Sequence, residues 1–458
     1  MVNVINLRAS RGLAIIAFAS LGGMLYGYDL GVISGALIFI KRDIYMSLNQ
    51  ESFLIGAVFT GSSFATVISG FLADYFGRKR LIIASTVIFS LSIIMIAFAH
   101  TYLQLITGRL IQGASVGIIT IVVPLYLTEA MPASMRGRGV TTFQLLLTLG
   151  IFFSSGIGLY YSHSGNWQAM FLVALIPSNI MTIGCFFLTE SPRWVAMKGD
   201  FAKVLSILKK TRSAIDAKKE MLEIKRFIRR EELRSYHRGY LWQRKYVTSL
   251  LLVFSIAVLQ QLTGMNLILQ LTTTILAHAG LNSYVHTMLD TNVITGLNVL
   301  VTIIAVFVAD KFERRTLMSF GTGGIVISML YCSLISYYLS PSLIKANLLL
   351  YGLLSFVVFY AIGPGALVWV VLAELLPLKI RGNALGMALF LNSITSSVFS
   401  DVFFSLAMHI HYAGVFGMCG SFTCLYFIIS LFFIPKTRGK SLEDIEAGFD
   451  VDVAPSSK

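Results

Sequence analysis

Residues 74–80 read Asp-Tyr-Phe-Gly-Arg-Lys-Arg, and residues 310–315 read Asp-Lys-Phe-Glu-Arg-Arg. Each stretch closes one apolar run and opens another, and each begins a series of matched elements. Glu129-x-x-Pro132-x-x-x-Arg136-Gly137 is answered by Glu374-x-x-Pro377-x-x-x-Arg381-Gly382. Thr189-Glu190-Ser191-Pro192-Arg193 is answered by Pro435-Lys436-Thr437-Arg438-Gly439. Three matches in the same order mean a duplicated unit, and the runs between them give each copy six helices. Duplicated bundles with a site at their interface are a common plan among secondary transporters.

A helix that crosses a bilayer needs about 20 apolar residues. The runs predict spans at 12–39, 53–75, 81–99, 102–128, 138–161 and 167–188, then at 247–278, 286–309, 316–339, 346–373, 382–408 and 412–434. The chain thus divides into an N-terminal bundle at 1–188, a polar linker at 189–246, a C-terminal bundle at 247–434 and a tail at 435–458. Composition agrees: 56% of the residues are hydrophobic, 13% are charged, and the mean hydropathy is +0.78. Soluble chains carry roughly 25% charged residues, so a soluble enzyme is excluded. The apolar run after Arg8 and Arg11 has no small-residue cleavage pattern and reads as the first span rather than a signal peptide.

The net charge of +14 does not indicate a nucleic-acid partner, because the basic residues alternate with the spans. They sit at Arg78-Lys79-Arg80, Arg136 and Arg138, Lys311 with Arg314-Arg315, Lys379 and Arg381, and Lys436 to Lys440. The intervening connections hold only Lys41, Arg42 and Lys345. This is the positive-inside pattern, which puts both termini in the cytoplasm. The short connection at 41–51 and the lack of any Asn-X-Ser/Thr sequence point to a bacterial inner membrane. Cys185, Cys332, Cys419 and Cys424 all fall in apolar runs and read as packing residues, not as metal ligands or disulfide partners. Trp167, Trp194 and Trp242 lie near span ends or in the linker, where interfacial anchoring is expected. In the linker, Met221, Ile224 and Ile228 recur at helical spacing among charges, so short amphipathic helices are expected there. They are either solvated or docked on the membrane surface.

These motifs resemble the sugar-porter branch of the major facilitator superfamily over nearly the whole chain. The resemblance rests on the loop Asp74 to Arg80, on Pro124-x-Tyr126-x-x-Glu129 with Arg136-Gly137, and on Glu190-Ser-Pro-Arg193. Gln260-Gln261-x-x-Gly264-x-Asn266 and Gly363-Pro-Gly365 with Trp369 and Glu374 complete it. It implies an all-α polytopic membrane protein with twelve transmembrane helices in two six-helix bundles of major facilitator type. It also implies transport of a monosaccharide or polyol by alternating access, without enzymatic chemistry or a bound cofactor. The implied partners are a sugar and the lipid bilayer, for a protein acting as a monomer. The sequence departs from the family pattern at several places. Gln270-Leu271 stands where an aromatic pair is common, Ser393 where many members carry Trp, Glu313 for Gly, Thr189 for Pro and Lys436 for Glu.

A desolvated sugar site needs amide donors and acceptors plus a flat apolar surface. Gln260, Gln261 and Asn266 in the seventh span are the first candidates, with Gln144, Asn298 and Asn392 as further amides at family positions. Amides of this kind otherwise join helices, at roughly 0.6 to 2 kcal/mol each. An unbroken helix would not align Gln260, Gln261 and Asn266, so either Gly264 loosens the turn or another helix shares the work. Trp369, just beyond the Gly363-Pro-Gly365 break, is placed to cover a sugar or else to pack in the core.

Asp29 in the first span and Arg109 in the fourth are the expected coupling pair. A charge within a span costs at least about 2.5 to 3.5 kcal/mol, so it has a partner or a purpose. At about 1.5 Å per residue, the two lie at compatible depths, roughly 17 Å and 11 to 12 Å from the outer ends of their helices. If the pair loosens in one conformation, Asp29 takes a proton and gives it up when the pair re-forms. In the resembled family, proton symporters carry an acid at this position and facilitators often carry Asn. A permanent salt bridge is the alternative, and Asp401 and Asp290 read as hydrated acids near outer ends. On the cytoplasmic side, Asp74 with Arg78, Glu129 with Arg136, Glu190 with Arg193, Asp310 with Arg314, and Glu374 with Arg381 are candidate ion pairs of an inner gate. Proton symport of a sugar is the favoured reading; a facilitator, a sugar sensor that does not transport, and an efflux pump remain open.

Overall fold

The computed structural model describes residues 2–234, 244–281, 283–309, 311–376 and 381–434, all referred to below as the described residues. Asp310, Trp242, Pro377 and the tail at 435–458 lie outside them, as do the side chains of Arg136 and Arg381. Twelve helices are long and apolar enough to cross a membrane. Spans 1 to 6 are Gly12–Asp43, Leu48–Phe76, Arg78–Ala97, Tyr102–Ala130, Arg138–Tyr160 and Trp167–Phe187. Spans 7 to 10 are Val247–Ala279, Tyr284–Val308, Arg314–Tyr338 and Leu343–Leu372. Spans 11 and 12 form one helical stretch, Arg381–Phe432, turned at His411, whose backbone is non-helical (φ 56°, ψ 169°). The bundle face that carries the linker helices is called the linker face below, and its opposite the far face.

Local chemistry fixes the ends of several spans. Span 2 starts with a capping box, in which Ser47 and Gln50 satisfy each other's backbone N–H groups. Thr101 caps span 4 by accepting from the Gln104 N–H. Between spans 2 and 3 the chain reverses at Gly77, whose φ of 94° disfavours any side chain.

The two halves are built alike. Span 1 packs on span 5, span 2 on span 4 and span 3 on span 4 in the first half; span 7 packs on span 11, span 8 on span 10 and span 9 on span 10 in the second. Close approach in the first half depends on missing side chains: a Cβ on Gly27 would collide with the Leu147 carbonyl of span 5. Small residues of this kind let membrane helices approach closely where lipid gives no hydrophobic drive. The outer flanks stay apolar and uncovered, as with Ile176, Ile180 and Ile183 of span 6, which are 61%, 48% and 60% exposed. At helical spacing these form a lipid-facing stripe.

The halves meet through spans 1 and 7, 2 and 11, and 5 and 8. The hydrogen bonds there lie in the middle and far-face parts of the spans. Ser34 pairs with Thr273 at 3.1 Å, Thr60 with Ser397 at 2.6 Å, and Ser155 with Thr295 at 2.7 Å. Tyr284 adds a bond to the Gly35 carbonyl. The far side of the interface is therefore sealed by hydroxyls, which small side chains bring together without large apolar area.

The linker forms helices Pro192–Met197, Phe201–Leu208 and Ala214–Arg234. They bury their own small core, including Val195, Val204, Leu208, Ala217 and Ile224. Arg212 fastens this layer to the first half: it donates to the Ala130 and Met131 carbonyls at 3.0 and 2.9 Å, and its Nη2 meets Glu220 at 2.9 Å. The carbonyls at the end of span 4 have no partner within their own helix, so a guanidinium suits them. The layer thus docks on the protein itself.

Two sequence expectations are corrected. Trp167 is buried at 1% exposure and donates to Asp43 at 2.7 Å, so it is a core residue rather than an interfacial anchor. Cys185, Cys332 and Cys419 are buried as expected, but Cys424 is exposed; all four are unpaired.

Candidate substrate and coupling site

Span 7 breaks where a loosened turn was needed. Its first segment ends at Leu262, Gly264 adopts a left-handed conformation (φ 87°), and the second segment starts at Met265. The break brings residues five and six apart to one cluster. Asn266 donates to Gln261 at 2.8 Å, Gln261 donates to Asn392 at 2.8 Å, and Asn392 donates to Gln260 at 2.7 Å. Gln260 in turn donates to the Tyr360 hydroxyl of span 10, and Asn266 reaches Ser396 at 3.1 Å. Four of the expected amides therefore form one chain across spans 7 and 11. Tyr26 of span 1 lies near Tyr360 from the other half.

The other two amides stand apart from this chain. Asn298 is buried, one turn beyond the interface residue Thr295. Gln144 is half-buried and eleven residues before Ser155, a spacing of about three whole turns. It therefore shares the side of span 5 that meets the second half, closer to the linker face. Neither has a hydrogen bond to another described residue. Trp369 follows a break at Gly363, where span 10 divides into Leu343–Ile362 and Pro364–Glu374. Trp369 is 38% exposed, whereas Leu367 and Val371 on the other side of that helix are buried. A groove of about 510 Å³ lined by Glu313, Arg315 and Phe427 lies elsewhere, between spans 9 and 12, and has no amide wall.

Asp29 and Arg109 meet at 2.5 Å with both side chains 0% exposed. Arg109 Nη1 also donates to Gln112 at 2.9 Å, and the guanidinium lies 5.9 Å from the Phe171 ring centre. The pair is held at a single point: Asp29 Oδ2 and Arg109 Nε and Nη2 are buried without hydrogen-bond partners among the described residues. Such a pair gains less than a bidentate one, in which two parallel bonds fix the geometry. Tyr26 is close enough to Asp29 to feel its charge. Tyr26 lies three residues before Asp29 on span 1, and Tyr360 of span 10 receives the Gln260 amide.

At the linker face, the expected pair of Asp74 with Arg78 forms, and Arg78 also takes Glu129, a partner the sequence order did not suggest. Arg78 binds Glu129 at 3.0 Å and Asp74 at 2.9 Å, and caps the Ala73 carbonyl at 3.1 Å. Glu129 also accepts from Ser191 at 2.5 Å. Glu190 accepts from the backbone of Lys79 at 3.0 Å and of Ser191 at 2.8 Å. In the second half Arg314 faces Glu374 at 3.4 Å. In each half, then, the Arg of the first loop takes the Glu that ends the fourth span, a contact sequence proximity does not suggest. These pairs bind elements of one half to each other. Residues missed from the sequence are Tyr360, Tyr26, Ser396, Gln112 and Arg212. Of these, only Gln112 carried a signal, its spacing of three residues from Arg109 on one helix.

Comparisons with known proteins agree with this architecture. The profile of the family described as "Sugar (and other) transporter" matches residues 15–449. The glucose transporter of Staphylococcus epidermidis is 33% identical, the match covering 94% of this chain and 96% of that one. The galactose-proton symporter of Escherichia coli is 30% identical over 93% of this chain and 92% of that one. Among solved structures, the inward-open xylose transporter of E. coli superposes with a TM-score of 0.81 at 23% identity, covering 95% and 99% of the two chains.

Proposed function

This multi-pass membrane protein belongs to the sugar transporter family, the sugar-porter branch of the major facilitator superfamily, and we propose that it imports a monosaccharide or related polyol together with protons. The observation that carries the reading is the amide chain Asn266–Gln261–Asn392–Gln260. Its members now satisfy one another, and sugar hydroxyls, which both donate and accept, can replace those bonds one for one. The exchange costs little, which a carrier that must release its cargo requires.

Asp29 is the proton carrier of this proposal and Arg109 its counter-ion. The single-point contact lets a small displacement of span 1 against span 4 separate them, and an unpaired buried carboxylate then takes a proton. Tyr26 shares span 1 with Asp29 and feels the charge of Tyr360, so a sugar that displaces the Gln260–Tyr360 bond acts on the span that carries Asp29. Gln144, Asn298 and Trp369 supply contacts from the spans that close around the cargo. The linker-face pairs of Asp74, Arg78, Glu129, Arg136, Glu190 and Arg193, with Asp310, Arg314, Glu374 and Arg381 opposite, stiffen each half so that it moves as a body.

The bundles at 1–188 and 247–434 are the moving bodies, and the basic linker face is cytoplasmic by the positive-inside rule. The protein acts as a monomer in a bacterial inner membrane, with no bound cofactor and no nucleic-acid partner. Sugar-induced alkalinisation of a lightly buffered suspension of expressing cells tests the reading. Addition of the right sugar raises the external pH for the native protein and leaves it unchanged for Asp29→Asn. Sugar entry without any pH change would make the protein a facilitator.

A further inference from the structure

Asp401 lies near the far-face end of span 11, where position alone suggested a hydrated acid. The structure divides its carboxylate between two environments. The residue as a whole is half-buried, but its Oδ1 is buried and has no hydrogen-bond partner among the described residues. An ionised oxygen held away from water without a donor is costly to keep.

What shuts this oxygen in belongs to the other half. Gly56 of span 2 lies against it: a Cβ there would overlap Asp401 Oδ1, so the missing side chain leaves a notch that takes the carboxylate. The Ser397 carbonyl borders the same notch. One turn towards the membrane middle, Thr60 pairs with Ser397 at 2.6 Å, and the Ser397 hydroxyl also reaches the carboxylate. Gly56 and Thr60 on one span thus match Asp401 and Ser397 on the other, four residues or about 6 Å apart along each axis. Because spans 2 and 11 belong to different halves, the notch exists only while the far face is closed. When the halves part there, Asp401 meets external water.

Among the described residues no cation is paired with this carboxylate. Tyr102 of span 4 is near enough to feel its charge, and the Tyr102 hydroxyl donates to the Gln50 carbonyl at 3.2 Å. Glu51, the acid at this end of span 2, is taken by Lys41 at 2.9 Å and lies near Tyr412. His409 bonds the Ser405 carbonyl at 2.7 Å, and His411 is exposed at the turn before span 12.

We propose that Asp401 is a second proton-binding site, a latch that must take a proton from the far side before the far face closes over the cargo. The carboxylate loses its water on entering the notch and gains no donor for Oδ1, whereas the neutral acid gives up far less hydration. A proton therefore binds the closed far face better than the open one, and acid outside shifts the halves towards closure. The proton returns to the same side when the far face reopens, so the latch sets the pH response of the cycle without adding to the protons carried. Asp29 is a separate group, paired with Arg109 inside the first half. The proposal rests on the alternating-access part of the transport reading, and on neither the identity of the sugar nor the role of Asp29.

Hydrogen–deuterium exchange of the purified full-length protein, read by mass spectrometry and corrected for the intrinsic effect of pH, tests it. Peptides from the far-face ends of spans 2 and 11 are compared with peptides from their linker-face ends. Between about pH 5 and about pH 8 the native far-face peptides are expected to lose protection while the linker-face peptides gain it. The change is at most about tenfold per pH unit, the limit that one proton sets. Asp401→Asn and Asp401→Ser, which keep a neutral side chain at every pH, are expected to hold the native low-pH pattern throughout; either variant alone suffices. Glu51, His409 and His411 are intact in both, so any response that they cause survives the substitution. A variant that follows the native protein with pH, or is the more open of the two at the higher pH, overturns the assignment, as does a native far face that ignores pH. Far-face loss in the native protein without gain at the linker face overturns alternating access, and the latch with it.

Discussion

Replacing Arg109 with Met removes the only described partner of a carboxylate that is wholly shielded from solvent. The loss has three parts. Asp29 loses its counter-ion, Gln112 loses a donor at 2.9 Å, and the Phe171 ring loses a cation 5.9 Å away. Breaking one side of a buried pair costs about 3–5 kcal/mol because a charge is left uncompensated. At about 2–4 °C per kcal/mol for a domain of 150–250 residues, the bundle should melt on the order of 10 °C lower. Asp29→Asn leaves Arg109 with Gln112 and Phe171, so it should cost less. Combining the two removes both charges, and replacing a whole buried pair is often close to neutral. The double variant should therefore melt above Arg109→Met alone. The assay is loss of the folded, monodisperse state of detergent-purified protein on heating, measured for all four members of the cycle. An Arg109→Met protein that melts with the native one, or a double variant at the sum of the single losses, would refute the account of the pair.

Other consequences follow from the packing. Gly27→Val should lower the melting temperature and the yield by forcing span 1 off the Leu147 carbonyl, whereas Gly70→Ala, whose Cβ would meet nothing within 4 Å, should be neutral or slightly stabilising. Glu129→Gln should destabilise by about 2–3 kcal/mol and Glu374→Gln by about 1 kcal/mol or less. The first pair is nearly shielded at 5% and 6% exposure and the second is wetter at 20% on each side; parallel melting curves compare them. Arg212→Ala should leave the melting of the spans unchanged yet speed tryptic cleavage at residues 198–234, because it unfastens the linker helices from the end of span 4. Equal cleavage rates would show that their own small core holds them in place.

The spans and their duplication were legible because apolar length and charge alternation are one-dimensional signals. The depth argument for Asp29 and Arg109 also worked from sequence, since rise per residue alone places both on a common level. Of the linker-face pairs, Asp74 with Arg78 was legible at a spacing of four residues, but Arg78 with Glu129 was not. Seven residues separate Glu129 from Arg136, and sequence proximity suggested that pairing. The fold brings Arg78 from the first loop to Glu129, because the end of span 4 lies beside the turn at Gly77, while the side chain of Arg136 lies outside the described residues. Tyr360 gave no signal either: a tyrosine in an apolar run reads as core until span 7 breaks at Gly264 and aims Gln260 at its hydroxyl. Trp167 misled for the converse reason, since position near a span end says nothing of whether Asp43 waits to receive its N–H.

The central claim is that Asp29 couples proton flow to sugar entry, and gradient-driven uptake tests it most directly. Labelled pentoses, hexoses and inositols are offered to proteoliposomes with and without an inward proton gradient, using the native protein and Asp29→Asn. The account predicts accumulation above equilibrium by the native protein only when the gradient is present, and exchange without accumulation by Asp29→Asn. Equilibration that ignores the gradient, or accumulation that survives the substitution, would contradict it.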